Sequence, residues 1–407
     1  MHLPSFLLLA CLAPVCAFAG VSPDKSPAST APSQGPAFFE NSTSLSQYFL
    51  GPDNAWDSAY DAVEKWKADN HIPITIGANH WWHVDRNERI YGDGYGVPGE
   101  SGTYYYFLDF DPKMKLDPDG FAKEIGLHVE GRIRDSGNKL RGFYNDTLWT
   151  YEAYAYAKTD LGVFKVGQVA ENFCIAWDNS WWEGVPYFDE YRFNPSWGVS
   201  WENTWKVSSS FSVDSALQYF VRGDRVSGAE PGASAASTRG LEERNTGLVR
   251  VVPTWKLSED TKIALGVAGL VRGIDRGGVS GISSTQAAWD TDVTLTMGNL
   301  SIFAQYIDSN GVISPVNYVS GGPSSRQDSF ETGINYKFGP VSAHVNFSRG
   351  WYHDPSGEQF IFNPGITFQV AKNLTLYTEY VKWNVRNSAG VTSRYDDGYE
   401  LALVWSF

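Results

Sequence analysis

Beyond its N-terminus the 407-residue chain has no run of about 18 apolar residues, which excludes a membrane-spanning helix. The same absence leaves a β-barrel open. In a barrel strand the lipid-facing and lumen-facing residues alternate and cancel in any hydropathy window. Cysteine and methionine are scarce, with three of each. Basic charge is in deficit: 32 Lys and Arg against 46 Asp and Glu give a formal net charge of −14. A chain without a basic excess lacks the electrostatic footprint that nucleic acid requires, so nucleic acid is not expected as a partner.

What is abundant points the other way. Aromatic residues make up 15% of the chain, with 16 Trp, and there are 40 Gly. That composition suits twisted strands and tight turns ringed by interfacial aromatics more than it suits helices. Leu3 to Ala19 form an apolar stretch ending Ala17-Phe18-Ala19, the small-x-small pattern of a signal peptide over residues 1–19, although the n-region carries His2 and no Lys or Arg. Leu8-Leu9-Ala10 before Cys11 admits a lipoprotein signal as the alternative. Cleavage after Ala19 removes Cys11 and Cys16 and leaves Cys174 alone, which rules out an intrachain disulfide and a cysteine-rich metal site. No cofactor and no metal is expected.

Residues 20–37 are rich in Pro, Ser and Ala and read as a flexible tether. Residues 38–71 hold the helical segment: Trp56, Tyr60, Val63 and Trp66 recur at spacings of three and four, Asp53 or Asn54 can cap them, and Pro73 stops the helix. It can plug a barrel floor, lie along the membrane edge or pack at the periplasmic rim. From residue 72 to 407 the chain reads as strands of about ten residues, joined alternately by tight turns and long polar loops. The expected fold is all-β: a transmembrane antiparallel β-barrel of about 16 strands. Early strands are placed at Ile72–Val84, Thr103–Asp111, Leu148–Lys158, Gly162–Phe173, Trp197–Val207 and Phe211–Arg222.

Strand Phe330–Phe338 alternates cleanly, with Phe330, Thr332, Ile334, Tyr336 and Phe338 on one face and Glu331, Gly333, Asn335 and Lys337 on the other. Trp197, Trp201 and Trp205 share a face, as do Trp149 and Tyr151, placing them toward lipid. His128, Glu130, Arg132 and Arg134 project together from one strand into the lumen, joined from other strands by Glu152, Lys165, Glu202, His344 and Glu379. Carboxylates accept from hydroxyls and Arg donates to them, so such a wall suits a neutral polyhydroxylated solute. The competing reading is an ordinary set of lumen charges across a non-selective channel.

The segment CIAWDNSWWEGVPYFDEYRFNPSW separates the fifth and sixth strands. Its Trp177, Trp181, Trp182, Glu183 and Arg192 pair aromatic faces with charged groups, a combination suited to the C–H faces and hydroxyls of sugars. Equally, these aromatics can pack the loop against the barrel wall. The closing GYELALVWSF is apolar on one face and ends on Phe407; it resembles the last strand of a bacterial outer-membrane barrel, a likeness that implies recognition of Phe407 by the barrel-assembly machinery.

From Trp66 to Trp205, through ADNHIPITIGAN, FLDFDPKMKLD, HVEGRIR, VFKVGQVAENF and RFNPSWGVSWEN, the chain resembles the carbohydrate-selective porins of the outer membrane, the glucose-porin type. The resemblance covers roughly a third of the chain. It implies sixteen strands, an N-terminal helical segment, and passive diffusion of monosaccharides such as glucose past a constriction holding Arg, Glu and Trp, here Glu130, Arg132, Arg134 and Trp177. It also implies location in a Gram-negative outer membrane, with lipid and lipopolysaccharide as neighbours; homo-oligomerisation is left open. The Pro/Ser/Ala tether and the acidic balance depart from the pattern. Alternatives are a general porin, an anion-selective channel, which Glu residues interrupting the Arg and Lys oppose, and a surface receptor. No enzyme is expected. His80, His83 and Asp85, or Asp396-Asp397, are the residues from which a barrel-top hydrolase or metal site would be assembled.

Overall fold

The computed structural model describes residues 55–85, 89–90, 100–136, 147–175, 180, 184–188, 191, 195–223, 242–275, 283–313, 324–353, 356–386, 389–390 and 392–407. Helix α1 (Ala55–Asp69) leads into β1 (Ile74–Asp85), β2 (Arg89–Ile90), β3 (Glu100–Phe110), β4 (Lys113–Lys115), β5 (Ala122–Ser136), β6 (Thr147–Thr159) and β7 (Gly162–Ala170). After the short helix α2 (Val185–Phe188) come β8 (Pro195–Lys206), β9 (Phe211–Gly223), β10 (Glu242–Lys256), β11 (Thr261–Asp275) and β12 (Ser283–Met297). The ring is completed by β13 (Leu300–Ile313), β14 (Ser324–Phe338), β15 (Val341–His353), β16 (Gly357–Ala371), β17 (Leu374–Arg386) and β18 (Thr392–Ser406).

Neighbouring strands pair antiparallel, and β1 pairs with β3 on one side and β18 on the other, from Gly77 opposite Ser406 to Asp85 opposite Gly398. The sheet therefore closes into a barrel of sixteen full strands. Of the two short strands, β4 continues the line of β3 past Pro112, whose carbonyl accepts from Leu127 N at 3.0 Å, and β2 is a ribbon on β18. Closure satisfies the backbone groups that a free edge would leave bare, which in hydrocarbon costs several kcal/mol for each group. At one end the hairpins are tight. Met297 and Leu300 flank Gly298-Asn299, and Phe338 and Val341 flank Gly339-Pro340, with Gly298 and Gly339 in the left-handed region at φ 56° and 62°. The longer connections lie at the other end.

Period-two patterning decides which side chains face out. Along β9, Leu217, Tyr219 and Val221 are exposed while Ala216, Gln218 and Phe220 are buried. The exposed set continues across the sheet in Val199, Val249, Val267, Val271, Ile334 and Ile366. So wide an apolar exterior is unfavourable in water and matches hydrocarbon. Trp197 and Trp205 are exposed on this face as expected, and Trp205 packs edge-on to Trp201 with centroids 6.3 Å apart.

Two local expectations are corrected. The strand placed at Gly162–Phe173 leaves the wall at Ala170, because residues 171 onward turn into the lumen. Tyr151 is not on the lipid face. A register shift between Glu130 and Gly131 on β5 inserts Tyr151 as an extra residue of β6, turning it inward beside Glu152, buried, with the Arg132 guanidinium 3.5 Å from its ring centroid. The side chain of Trp149 lies outside the described residues.

Helix α1 packs on the outer rim and does not plug the floor. Its Trp56 is buried against Ala371 and Leu374, with Val370, Leu403, Trp405 and Phe407 packed round it. The Trp56 and Phe407 centroids are 5.2 Å apart, and Trp56 Nε1 donates to Asn373 Oδ1 at 2.5 Å. Asp57 accepts from the Lys372 backbone N at 2.8 Å, and Asp61 holds the Lys372 ammonium at 2.6 Å and raises its pKa. The helix thus covers the C-terminal residue.

Candidate functional site

The lumen is organised by the segment between β7 and β8. As it enters, Phe173 and Cys174 pack with Tyr191 against Leu248, Ala268, Leu270, Ala288 and Ile307 on the inner face of β10–β13. Arg250 ties this base to the wall: its guanidinium donates to the Phe173 carbonyl at 2.8 Å, to Asp290 at 2.9 Å and to Asp292 at 2.5 Å. Arg272 does the same beside it, bridging Glu243 at 2.5 Å and Glu171 at 4.0 Å. The middle of the loop reaches further round the ring. Ser180 Oγ donates to Glu379 at 3.3 Å and accepts from Asn363, and Val185 N donates to Ser348 Oγ at 2.9 Å. Val185 itself is enclosed by Tyr352, Ile361, Val381, Trp383 and Val385. Gly184 lies so close to Glu331 that a Cβ there would meet its carboxylate oxygen at 2.2 Å.

The described part of the loop therefore leaves β7, crosses the lumen and clamps onto the wall from β10 to β17. Its seats are apolar inward residues on those strands. A sequence signal existed: Leu248, Leu270, Phe303, Ile307, Ile361 and Trp383 break the polar face of their strands.

The remaining wall, from β3 to β8, keeps its charges. Glu130 Oε1 accepts from Arg132 Nε at 2.5 Å, Lys165 donates to both oxygens of Glu202 at 2.9 Å, and Lys158 meets Glu124 at 2.8 Å. His128 Nδ1 sits 2.6 Å from Asp111 Oδ1 and its ring is 5.0 Å from that of Tyr154. Glu152 Oε1 accepts from Ala170 N at 2.8 Å. These groups are fixed by partners yet partly exposed, an array of donors and acceptors held in place. Beneath the loop a cavity of about 350 Å³ is lined by Asn172, Glu202, Thr204, Asp214 and Arg250.

Of the residues expected to form the site, Glu130 and Arg132 come together on this wall, backed by Tyr151. For Arg134 only the backbone, in β5, is described. Trp177, Trp181, Trp182, Glu183 and Arg192 lie outside the described residues. His80 is on the outer side of β1, opposite Leu403, with its ring 6.1 Å from Trp82 and 6.0 Å from Tyr106, and the side chains of His83 and Asp85 lie outside the described residues. Sequence reading missed the pairing of Arg250 and Arg272 with buried carboxylates, since the strand pattern marks them only as inward.

A closed antiparallel ring with an apolar exterior, a charged interior and a loop folded across the lumen is a transmembrane β-barrel of the outer-membrane type. Solved structures with this fold include OprB of Pseudomonas putida, at TM-score 0.57 and 10% identity over 86% of this chain and 97% of that one. The outer membrane channel DcaP of Acinetobacter baumannii aligns at TM-score 0.52 and 12% identity, over 82% of this chain and 96% of its own. A loop L8 deletion form of OmpT, an outer membrane protein of Vibrio cholerae, aligns at 0.51 and 10%, over 82% and 99%. At these identities the likeness is one of fold. No family model and no curated protein sequence matches the chain.

Proposed function

We propose that this chain is an outer-membrane porin through which small polyhydroxylated solutes, monosaccharides such as glucose among them, diffuse passively. The observation that carries the reading is the division of the lumen. One side is occupied by a loop clamped to the wall, and the other presents Arg132 on Tyr151, Glu130, Glu152, Lys165 and Glu202 as fixed donors and acceptors. Neutral hydroxyls can exchange hydrogen bonds with such an array without the cost of desolvating a charge of their own. An aromatic face beside a guanidinium adds a stacking surface for the C–H side of a sugar ring. Arg132, Lys158 and Lys165 of this wall are each engaged by a carboxylate, which supports a neutral solute over an anion. The resemblance of HVEGRIR and its neighbours to carbohydrate-selective porins supports the same class. Passage needs no cofactor and no covalent chemistry.

On this reading residues 1–19 direct export, the tight turns and α1 face the periplasm, and Phe407 is the assembly signal. Lipopolysaccharide meets the end of the barrel opposite α1. The test is single-channel conductance of the refolded protein in a planar bilayer, titrated with glucose and then phosphate. Saturable block by glucose, weakened at least several-fold in Arg132→Ala, is the expected result. Conductance untouched by either solute reduces the protein to a general porin. Absence of conductance overturns the channel reading and favours a surface receptor.

A further inference from the structure

The β3–β5–β6 wall holds an arrangement that goes beyond the hydrogen-bonding array offered to a solute, although it shares Glu130 and Glu152 with that array. His128, Glu130 and Glu152 each have one polar atom tied to the protein and another left over. His128 Nδ1 is engaged by Asp111 at 2.6 Å, which leaves Nε2 turned toward Glu152. Glu152 Oε1 is held by the Ala170 N–H and Glu130 Oε1 by Arg132 Nε. His128 Nε2 then lies 3.9 Å from Glu152 Oε2, too long for a hydrogen bond and close to the separation of two ligands that share one ion.

One ligand atom from each of the three residues falls within 4.8 Å of the others. Side-chain movements of under roughly 1 Å bring all three to the metal–ligand distances of about 2.0 to 2.2 Å that Zn²⁺ takes. An imidazole whose far nitrogen is anchored by a carboxylate is the recurring support of a metal-bound histidine. A second, independent sign lies next to it. Asp109, the cross-strand partner of Glu130, has a buried Oδ1 with no hydrogen-bond partner. Among the described residues, four carboxylates (Asp109, Asp111, Glu130 and Glu152) face Arg132 and Lys165, and Lys165 is shared with Glu202. A dication relieves that imbalance.

We propose that His128, Glu130 and Glu152 bind a divalent transition-metal ion, of the Zn²⁺, Mn²⁺ or Co²⁺ class, in the wall of the lumen, with Asp111 as the positioning residue for His128. One nitrogen and two oxygen donors suit these borderline ions better than Cu⁺, which prefers sulfur, or Ca²⁺, which takes six to eight oxygens. The site is partly open, so it loads from the solution filling the pore, and water completes the coordination shell. Loading cancels two negative charges at one depth of the lumen. The ion therefore acts as a reversible modulator of cation flow, a property that is measured apart from solute block.

The test uses the full mature chain, refolded in detergent without an added histidine tag. Co²⁺ titration is followed by its visible absorption and Zn²⁺ titration by calorimetry. The wild type is expected to take one ion per chain. His128→Gln and Glu152→Gln are each expected to lose at least about 100-fold in affinity, and Asp111→Asn roughly 10–100-fold. His353→Gln, at a distant strand end, should bind as the wild type does. Heat-modifiability on gels checks that each variant is folded. As a measurement free of mutation, Zn²⁺ should lower wild-type cation conductance, and a chelator should restore it. Failure of the wild type to bind either ion overturns the proposal, as does binding undiminished in both His128→Gln and Glu152→Gln. Glucose block that vanishes while metal binding persists would sink the solute reading alone.

Discussion

Arg250→Met isolates the contribution of the loop clamp. The substitution keeps most of the side-chain length and removes the guanidinium that joins the Phe173 carbonyl to Asp290 and Asp292. Those two carboxylate side chains are 0% and 2% exposed. Removing one partner of a buried ion pair costs about 3–5 kcal/mol, because the partner charge is stranded. The orphaned Phe173 carbonyl adds a further ~1–3 kcal/mol if water cannot reach it. The strain can be relieved by proton uptake or by opening the loop base to water, so the lower figure is the better expectation for the net loss. Urea unfolding in lipid vesicles, read by heat-modifiability on gels, measures the stability. Single-channel recording of the same preparation reads the loop, whose loosened base should raise conductance and noise. Arg250→Met combined with Asp290→Asn and Asp292→Asn strands no charge and should recover more than half of the loss. Wild-type stability and conductance in the single variant would refute the reasoning, as would a triple variant no better than the single one.

Val267 is exposed on the outer face midway along β11. If that face meets lipid, Val267→Arg costs ~2–4 kcal/mol of folding free energy in vesicles, whereas a water-facing position would register almost nothing. Trp56→Ala should cost about 3–5 kcal/mol of helix docking, seen as fast amide exchange confined to α1 with barrel melting unchanged; coincident loss of both would contradict the rim placement. Gly167 has φ 138° and a Cβ there would lie 2.2 Å from the Ala153 carbonyl oxygen. Gly167→Ala should therefore destabilise the β6–β7 hairpin by more than about 1 kcal/mol, checked by refolding yield and urea midpoint.

Strand order, closure and lipid-facing residues were legible in the sequence because a period of two is a short-range property that each strand declares for itself. Phe330 to Phe338 show it without interruption, and Ile334, Tyr336 and Phe338 are all exposed on the outer face. Strand ends were less legible. The pattern of β7 runs on beyond Ala170 in the sequence, and only the lumen-side seat of Phe173 and Cys174 explains why the chain turns off the wall there. Tyr151 was misplaced for a related reason, since one inserted residue reverses every later face assignment on that strand and bulges have no reliable local signature. Within the candidate site, Glu130 and Arg132 were legible as an inward pair two residues apart. Tyr151 beneath Arg132 was not, nor was the tie between Glu152 and Ala170. Arg250, Asp290 and Asp292 come from two strands with another between them, so no window of sequence could join them.

The seat of α1 has a consequence for the order of events. Trp56 touches Asn373 across 317 positions of sequence, and its other neighbours are Val370, Ala371, Leu374, Leu403, Trp405 and Phe407. The helix comes early in the chain, yet its seat is complete only when the last two strands are in place. Its docking thus works as a latch on the finished ring, and it shuts over the aromatic terminus that the closing strand presents. A chain stalled before β18 would leave α1 without Leu403, Trp405 and Phe407 and more open to protease, so cleavage at α1 would report how far the ring had been completed.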